Sequence, residues 1–194
     1  MAKPKLIVIS APSGCGKTTI AQDILRRHPE MLFSVSATTR KKREGEVDGK
    51  AYFFLSKEEF EEKLRRNELV EWEQIYGNYY GTLKSEVDKT LNAGTSMLFD
   101  VDVKGALSIK KQYPDDAVLI FIEPPSIQIL TERLTNRKTE DAETIKRRLD
   151  RVPMEMEMGK EFDFRVVNDQ LTKAIQDVDT IICNALGKKS STSS

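Results

Sequence analysis

Lys5-Leu6-Ile7-Val8-Ile9-Ser10-Ala11-Pro12-Ser13-Gly14-Cys15-Gly16-Lys17-Thr18-Thr19 runs from an apolar stretch of strand length into APSGCGKT and then into a helical pattern. Strand, glycine-bearing loop and helix in that order form the context in which a backbone cradles phosphate. Gly14 and Gly16 carry no Cβ to keep a polyphosphate away from the surrounding N–H groups. The helix opening near Lys17 adds the positive end of its dipole. Lys17 is expected to offer a cation to the β- and γ-phosphates, and the Thr18 hydroxyl a ligand for Mg²⁺. Ala11, Pro12, Ser13, Cys15 and Thr19 complete the expected nucleotide-binding set. Ala11 stands where the GxxxxGK[ST] pattern has its first glycine, a change that is tolerable if this residue keeps a negative φ. A plain glycine-rich turn would not need the Lys-Thr pair that follows. The stretch reads as a nucleoside triphosphate site.

Composition narrows the rest. The 194 residues fit one large domain, or one domain with small insertions. Lys+Arg and Asp+Glu both number 31, so no net field recruits nucleic acid or an anionic membrane. Phosphate binding must come from local clusters. Val118-Leu119-Ile120-Phe121-Ile122 is far too short to span a bilayer, and KLIVIS is too short for a signal-peptide core. Cys15 and Cys183 stand at opposite ends of the chain without metal-ligand spacing. Two thiols and no disulfide framework fit a reducing cytoplasm, and Cys15 reads as a small filler of its loop. The single histidine, His28, excludes histidine-dependent triads and multi-histidine metal sites. It precedes Pro29 and reads as a solvated residue near a helix C-terminus.

Strand and helix patterns alternate, the signature of a parallel α/β sheet. Thr18 to Arg27 is expected as a helix, Phe33-Ser34-Val35-Ser36 as a short strand, and Ala37 to Gly49 as a functional loop. Ser56-Lys57-Glu58-Glu59 is a capping box opening a helix toward Arg66. Leu69 to Tyr76 and Ser96 to Val101 read as strands, Lys84 to Asn92 and Gly105 to Tyr113 as helices. Val118 to Ile122 is the strongest core strand, followed by a helix capped by Ser126. A charged helix runs through Met158, Arg165 to Val167 is the last strand, and Leu171 to Leu186 the closing helix. The sheet framework is expected in 1–33, 83–132 and 159–187, with insertions at 34–82 and 133–158. The serine-rich tail 188–194 reads as disordered.

The first insertion carries the discriminating chemistry. Arg40 and Arg43 lie three apart in TTRKKREGE with Lys41 and Lys42 between them, and arginine forks hold phosphate bidentately. Tyr52, and Tyr80 in GNYYGT, can donate hydroxyls to the same anion. A basic run of this kind is otherwise a solvated loop or a localisation patch. Asp100 and Asp102 flank Val101 at a strand end, where a polar strand terminus is the plain alternative.

SAPSGCGKT, FSVSATTRKKREGEVDGKAYFF, EWEQIYGNYYGT, FDVDVKGA, ERLTNRKT and VVND occur in that order over about residues 6–170. Together they resemble the guanylate kinase family of nucleoside monophosphate kinases. The resemblance implies a P-loop three-layer α/β fold with a central parallel sheet flanked by helices, a GMP-binding insertion (34–82) and a lid (133–158). It assigns Arg40, Arg43, Tyr52 and Tyr80 to a clamp on the GMP phosphate, with Glu46 holding the arginines. Guanine offers N1–H and N2–H₂ as donors and O6 as an acceptor. Glu71 can accept from the former, while Ser36 and Thr82 can donate to O6. One of Asp100 and Asp102, more in keeping with Asp100, would organise Mg²⁺, and the other would approach the guanine amine. Arg133, Arg137 and Arg148 match arginines that close on the transferring phosphates. The lid departs from the family, reading TNRKT where RGRGT is usual, so Asn136 and Lys138 replace glycines. Asn168 falls where the family contacts the adenine side of ATP, and as a turn-capping residue it has a second reading.

These implications amount to ATP + GMP ⇌ ADP + GDP, with dGMP as a second acceptor and Mg²⁺ accompanying ATP. No nucleic acid or membrane partner is expected; monomer and homo-oligomer both stay open. Two other readings compete. A protein-interaction scaffold built on the same domain would lose the loop lysine or the phosphate clamp. A kinase of another small acceptor would lack the set Glu71, Ser36 and Thr82.

Overall fold

β1 (Leu6–Ser10) is buried at every residue, as befits an unbroken apolar run flanked by parallel strands. The computed structural model describes residues 3–75, 77–135 and 142–188. On either side of β1 lie β7 (Met97–Asp100) and β8 (Ala117–Glu123), both parallel to it. β2 (Leu32–Phe33) and β9 (Phe164–Val167) form the edges, giving the order β2-β7-β1-β8-β9. Successive residues of β1 feed opposite faces, as strand geometry requires. Ile7 and Ile9 pack with Ile20 and Ile24 of α1 (Lys17–Arg27) and with Val178 and Ile182 of α7 (Leu171–Ala185). Leu6 and Val8 pack with Phe99, Val87 of α3 (Lys84–Asn92), and Ala106 and Ile109 of α4 (Val103–Gln112). Helices on both faces of a parallel sheet complete three layers.

A second, four-stranded sheet has the order β4-β3-β6-β5. It comprises β3 (Ala37–Thr38), β4 (Phe53–Phe54), β5 (Leu69–Ile75) and β6 (Asn78–Leu83). Its small core joins Ala37, Leu69 and Leu83 to Phe60 of α2 (Lys57–Arg65). The expected capping box opens α2: Ser56 Oγ accepts from Glu59 N–H at 3.1 Å, and Glu59 Oε2 accepts from Ser56 N–H at 2.7 Å. Ser126 likewise accepts from Ile129 N–H at 3.2 Å and opens α5 (Ile127–Thr135). α6 (Ala142–Met158) follows, then a 3₁₀ turn at Gly159–Glu161.

Three expectations need correction. The strand expected at Phe33–Ser36 is shorter and starts one residue earlier, as β2: the chain leaves the parallel sheet after Phe33 and joins the other sheet at Ala37, inside the stretch expected as a loop. Ser34 N–H donates to Leu98 O while Ser36 O accepts from Phe53 N–H, so the segment bridges the two sheets. α4 begins at Val103 rather than Gly105, because Asp102 Oδ1 accepts from Gly105 N–H at 2.8 Å and caps it. His28 is not solvated. It is 5% exposed, with Nε2 2.7 Å from Asp179 Oδ1 on α7. Among the described residues no helix is long and apolar enough to cross a membrane.

Candidate active site

Register sets the site. β1 pairs with β7 so that Ile9 faces Asp100, which brings Asp100 to the sheet edge where the phosphate loop begins. Gly14 and Gly16 adopt φ of 92° and 81°, conformations that a side chain resists. Among the described non-glycine residues only Asn67 has positive φ, so Ala11 avoids the strain its methyl would otherwise bring. Lys17 Nζ lies 2.7 Å from Asp100 Oδ1 and donates to Val101 O at 2.9 Å. Thr18 Oγ1 donates to Asp100 Oδ2 at 3.2 Å. Hydroxyl and carboxylate thus converge as hard oxygen donors, the set that suits Mg²⁺. Cys15 is fully buried, and burial pushes its thiol up to about 12, which leaves it an inert filler.

A cavity of about 650 Å³ opens over the loop from Ala11 to Thr19. α6 forms its far wall with Thr144, Arg147, Arg148 and Arg151. Arg148 Nη1 donates to Ser13 Oγ at 2.8 Å, so this arginine reaches the loop itself. Arg133 takes another position: its guanidinium donates to the carbonyls of Asn168 and Asp169, tying α5 to the turn after β9. Asn168 is buried, and its amide donates to Cys15 O at 2.8 Å. That bond braces the loop from behind. Arg137, with Asn136 and Lys138, lies outside the described residues.

Bracing of this kind makes Gly16→Ala a sharp test. A methyl there would sit 2.8 Å from Asn168 Nδ2, on a backbone already at φ 81°. Left-handed strain and a disturbed Asn168–Cys15 bond together cost about 2–3 kcal/mol. The melting temperature should fall by roughly 5–10 °C, and the KM for ATP should rise about tenfold or more as the loop shifts. A variant with parental melting and KM would show that the loop tolerates a different path.

In the second sheet the basic cluster is assembled around one carboxylate. Arg40 reaches Glu46 with both guanidinium nitrogens, at 2.7 and 3.2 Å, and Glu46 Oε2 also accepts from Arg43 N–H at 2.7 Å. These donors hold the Glu46 carboxyl below its ordinary range. The Arg40 guanidinium lies 5.2 Å from the Tyr52 ring centroid, and Tyr52 meets Tyr80 edge-on at 6.1 Å. Arg40, Arg43, Glu46, Tyr52 and Tyr80 are therefore neighbours, although they span forty positions.

Glu71 lies on β5 and Thr82 on β6, paired across the hairpin. Thr82 Oγ1 donates to Glu71 Oε1 at 2.6 Å, so the hydroxyl expected to donate to guanine O6 here steadies the Glu71 carboxylate. Burial pushes the Glu71 carboxyl up to about 7, and the charges of Asp102 and Glu73 add to the rise. Asp102 and Glu71 converge on Gly105: a methyl there would meet Asp102 Oδ1 and Glu71 Oε2, each at 3.2 Å. Ser36 occupies the crossover between the sheets.

Arg151 escaped sequence reading. It stands among three carboxylates, 3.6 Å from Glu73 Oε1, 3.5 Å from Asp102 Oδ2 and 3.4 Å from Glu155 Oε1. Burial raises the carboxyls of Glu73 and Glu155, and Arg151 opposes that rise. In sequence it belongs to the charged run KRRLDR, whose partners come from distant segments, so only its helical spacing from Arg148 and Glu155 was visible.

A family model described as Guanylate kinase matches residues 3–185. Guanylate kinase of Chlorobium luteolum is 49% identical over 188 residues, 97% of this chain and 95% of the relative. Guanylate kinase of Chlorobium chlorochromatii is 50% identical over 183 residues, 94% and 96% of the two chains. The crystal structure of guanylate kinase from Anaplasma phagocytophilum superimposes with a TM-score of 0.73 at 28% identity, covering 97% of this chain and 89% of that one. A gluconokinase from Sinorhizobium meliloti shares the fold alone, with a TM-score of 0.52 at 13% identity. A glycine-bearing loop with Lys17 and Thr18, an arginine–tyrosine cluster and the carboxylates of Glu71 and Asp102 beside Gly105 agree with those likenesses: the chain belongs to the guanylate kinase family.

Proposed function

We infer that the chain catalyses ATP + GMP ⇌ ADP + GDP, with dGMP as a second acceptor. One observation carries this reading. The end of β7 divides two carboxylates: Asp100 turns to Lys17 and Thr18, and Asp102 turns toward Glu71. A single strand end thus serves a triphosphate site and an acceptor site. On this reading Asp100 and Thr18 hold Mg²⁺, and Asp102 with Glu71 faces the guanine N1–H and amine. When bound, Mg²⁺ neutralises charge on the β- and γ-phosphate oxygens.

GMP presents an oxygen that is already anionic, so transfer in line needs no general base. His28, at the far end of eleven-residue α1, lies on the order of 16 Å along the helix from Lys17 and plays no part. Lys17 and Arg148 converge on the loop, while Arg40, Arg43, Tyr52 and Tyr80 hold the acceptor phosphate. Catalysis is then positioning and charge stabilisation. The neutral overall charge supports an enzyme acting on small molecules, and a chain with only two cysteines is in keeping with a reducing cytoplasm.

A panel of nucleoside monophosphates in a coupled ADP-release assay tests the reading. GMP should be preferred by orders of magnitude. No turnover with any monophosphate would favour a scaffold, and preference for another base would favour a different acceptor.

The sheet-forming segments 1–33, 83–132 and 159–187 are proposed as the ATP-binding core, with 34–82 closing over GMP and 133–158 over ATP. With GMP and a non-hydrolysable ATP analogue at saturation, amide exchange should slow in 34–82 and 133–158. Unchanged exchange in both segments would exclude closure.

A further inference from the structure

His28, Asp179 and Cys183 stand apart from the phosphoryl-transfer site, and all three are buried, at 5%, 3% and 3% exposure. One ligand atom from each lies within 4.8 Å of the others. The fold puts them there from two helices. His28 caps the C-terminus of α1, and Asp179 and Cys183 stand four apart on α7, on one face of that helix. His28 Nε2 lies 2.7 Å from Asp179 Oδ1, and Nδ1 lies 3.4 Å from Glu30 Oε1. Glu30 is itself paired with Lys188. Both ring nitrogens therefore face carboxylates, yet a neutral imidazole has only one N–H to donate. With Nδ1–H directed at Glu30, the 2.7 Å contact between Nε2 and Asp179 Oδ1 holds one shared proton, which a divalent cation seated between the two can displace.

We propose that His28 Nε2, an Asp179 carboxylate oxygen and Cys183 Sγ form a structural site for a thiophilic divalent transition metal of the Zn²⁺ class. Glu30 orients the imidazole from its far side, the role that outer carboxylates play at zinc–histidine centres. Neutral imidazole, carboxylate and thiolate sum with the ion to zero charge, which suits a buried position. Binding releases to solvent the Cys183 thiol proton and the proton of the His28–Asp179 hydrogen bond. At ligand distances of about 2.0–2.3 Å, tetrahedral donors stand roughly 3.3–3.8 Å apart. The histidine–aspartate pair opens slightly to reach that spacing, and a water takes the fourth position. Imidazole and thiolate select Zn²⁺ or Co²⁺ over Mg²⁺, so the ion is distinct from the one placed at Thr18 and Asp100. It pins the end of α1 to α7, away from the phosphate loop, and so acts on stability rather than on transfer.

The test uses the full chain, stripped with a chelator and titrated with Co²⁺ in excess Mg²⁺. A thiolate-to-Co²⁺ charge-transfer band should saturate at one equivalent and vanish when Zn²⁺ is added. Zn²⁺ should also raise the melting temperature. Cys183→Ser should abolish the band. Glu30→Gln, at a half-exposed position, should weaken Co²⁺ binding ~10- to ~100-fold. Absence of the band, its survival in Cys183→Ser, or unchanged affinity in Glu30→Gln each overturns the site. The last comparison stands even if Cys183→Ser does not fold.

Discussion

Lys17→Ala is expected to fold as the parent does and to transfer phosphoryl groups ~10²- to ~10³-fold more slowly, or worse. Lys17 Nζ is held at the end of β7 by Asp100 Oδ1 at 2.7 Å and Val101 O at 2.9 Å, so its charge is in place before any nucleotide arrives. Preorganised charge aimed at the transferring group is worth about 2.7–4 kcal/mol when one donor is lost. The side chain is part-exposed and fills no core position, so its removal opens no cavity. Far-ultraviolet circular dichroism should match the parent, while kcat falls and ATP binds more weakly. Activity within a few-fold of the parent would exclude this loop as the triphosphate site.

Glu71→Gln should act on the other substrate. Glu71 accepts from Thr82 and sits with Asp102 around Gly105, a partly dry setting in which a carboxylate can accept from two guanine donors. Glutamine keeps the size but turns a donor toward guanine. Losing a charged acceptor costs about 2–4 kcal/mol, so kcat/KM for GMP should fall ~30- to ~1000-fold. AMP, whose N1 accepts, should gain relative to GMP. The KM for ATP should barely move. Normal GMP turnover, or a loss of ATP binding instead, would refute the guanine assignment.

Proton linkage gives the same substitution a second readout. The Glu71 carboxyl is pushed from 4.5 up to about 7, chiefly by burial. Its ionised form is the acceptor, so kcat/KM for GMP should climb as pH rises through about 7. The GMP phosphate adds an inflection near ~6; Glu71→Gln should keep that one and lose the other. Stability runs the opposite way. The folded state holds this proton more tightly than the unfolded chain, so stability drains away between pH 4.5 and about 7. Glu71→Gln cannot ionise and should gain stability relative to the parent at pH 8, with the gain shrinking toward pH 5.

Contiguous chemistry was legible in the chain itself. An apolar strand, two glycines, Lys17-Thr18 and a helix lie within fifteen residues, and their geometry follows from backbone preferences that act over a few positions. The capping residues Ser56 and Ser126 were readable for the same reason. The spacing of Arg40 and Arg43 already pointed to a phosphate, and resemblance to a family added Glu46 and the expected guanine-reading role of Glu71, which no spacing rule could have supplied. Tertiary structure alone divided Asp100 from Asp102, because register places one beside Ile9 while a helix cap turns the other toward Gly105. It alone gave Thr82 to Glu71 across a hairpin, set Arg151 among three carboxylates, and buried His28. Pro29 marks the end of α1, but what covers that end arrives 151 positions later on α7. Burial and charge pairing are decided by which distant surfaces meet, and that is fixed only when the two faces of the sheet have been packed.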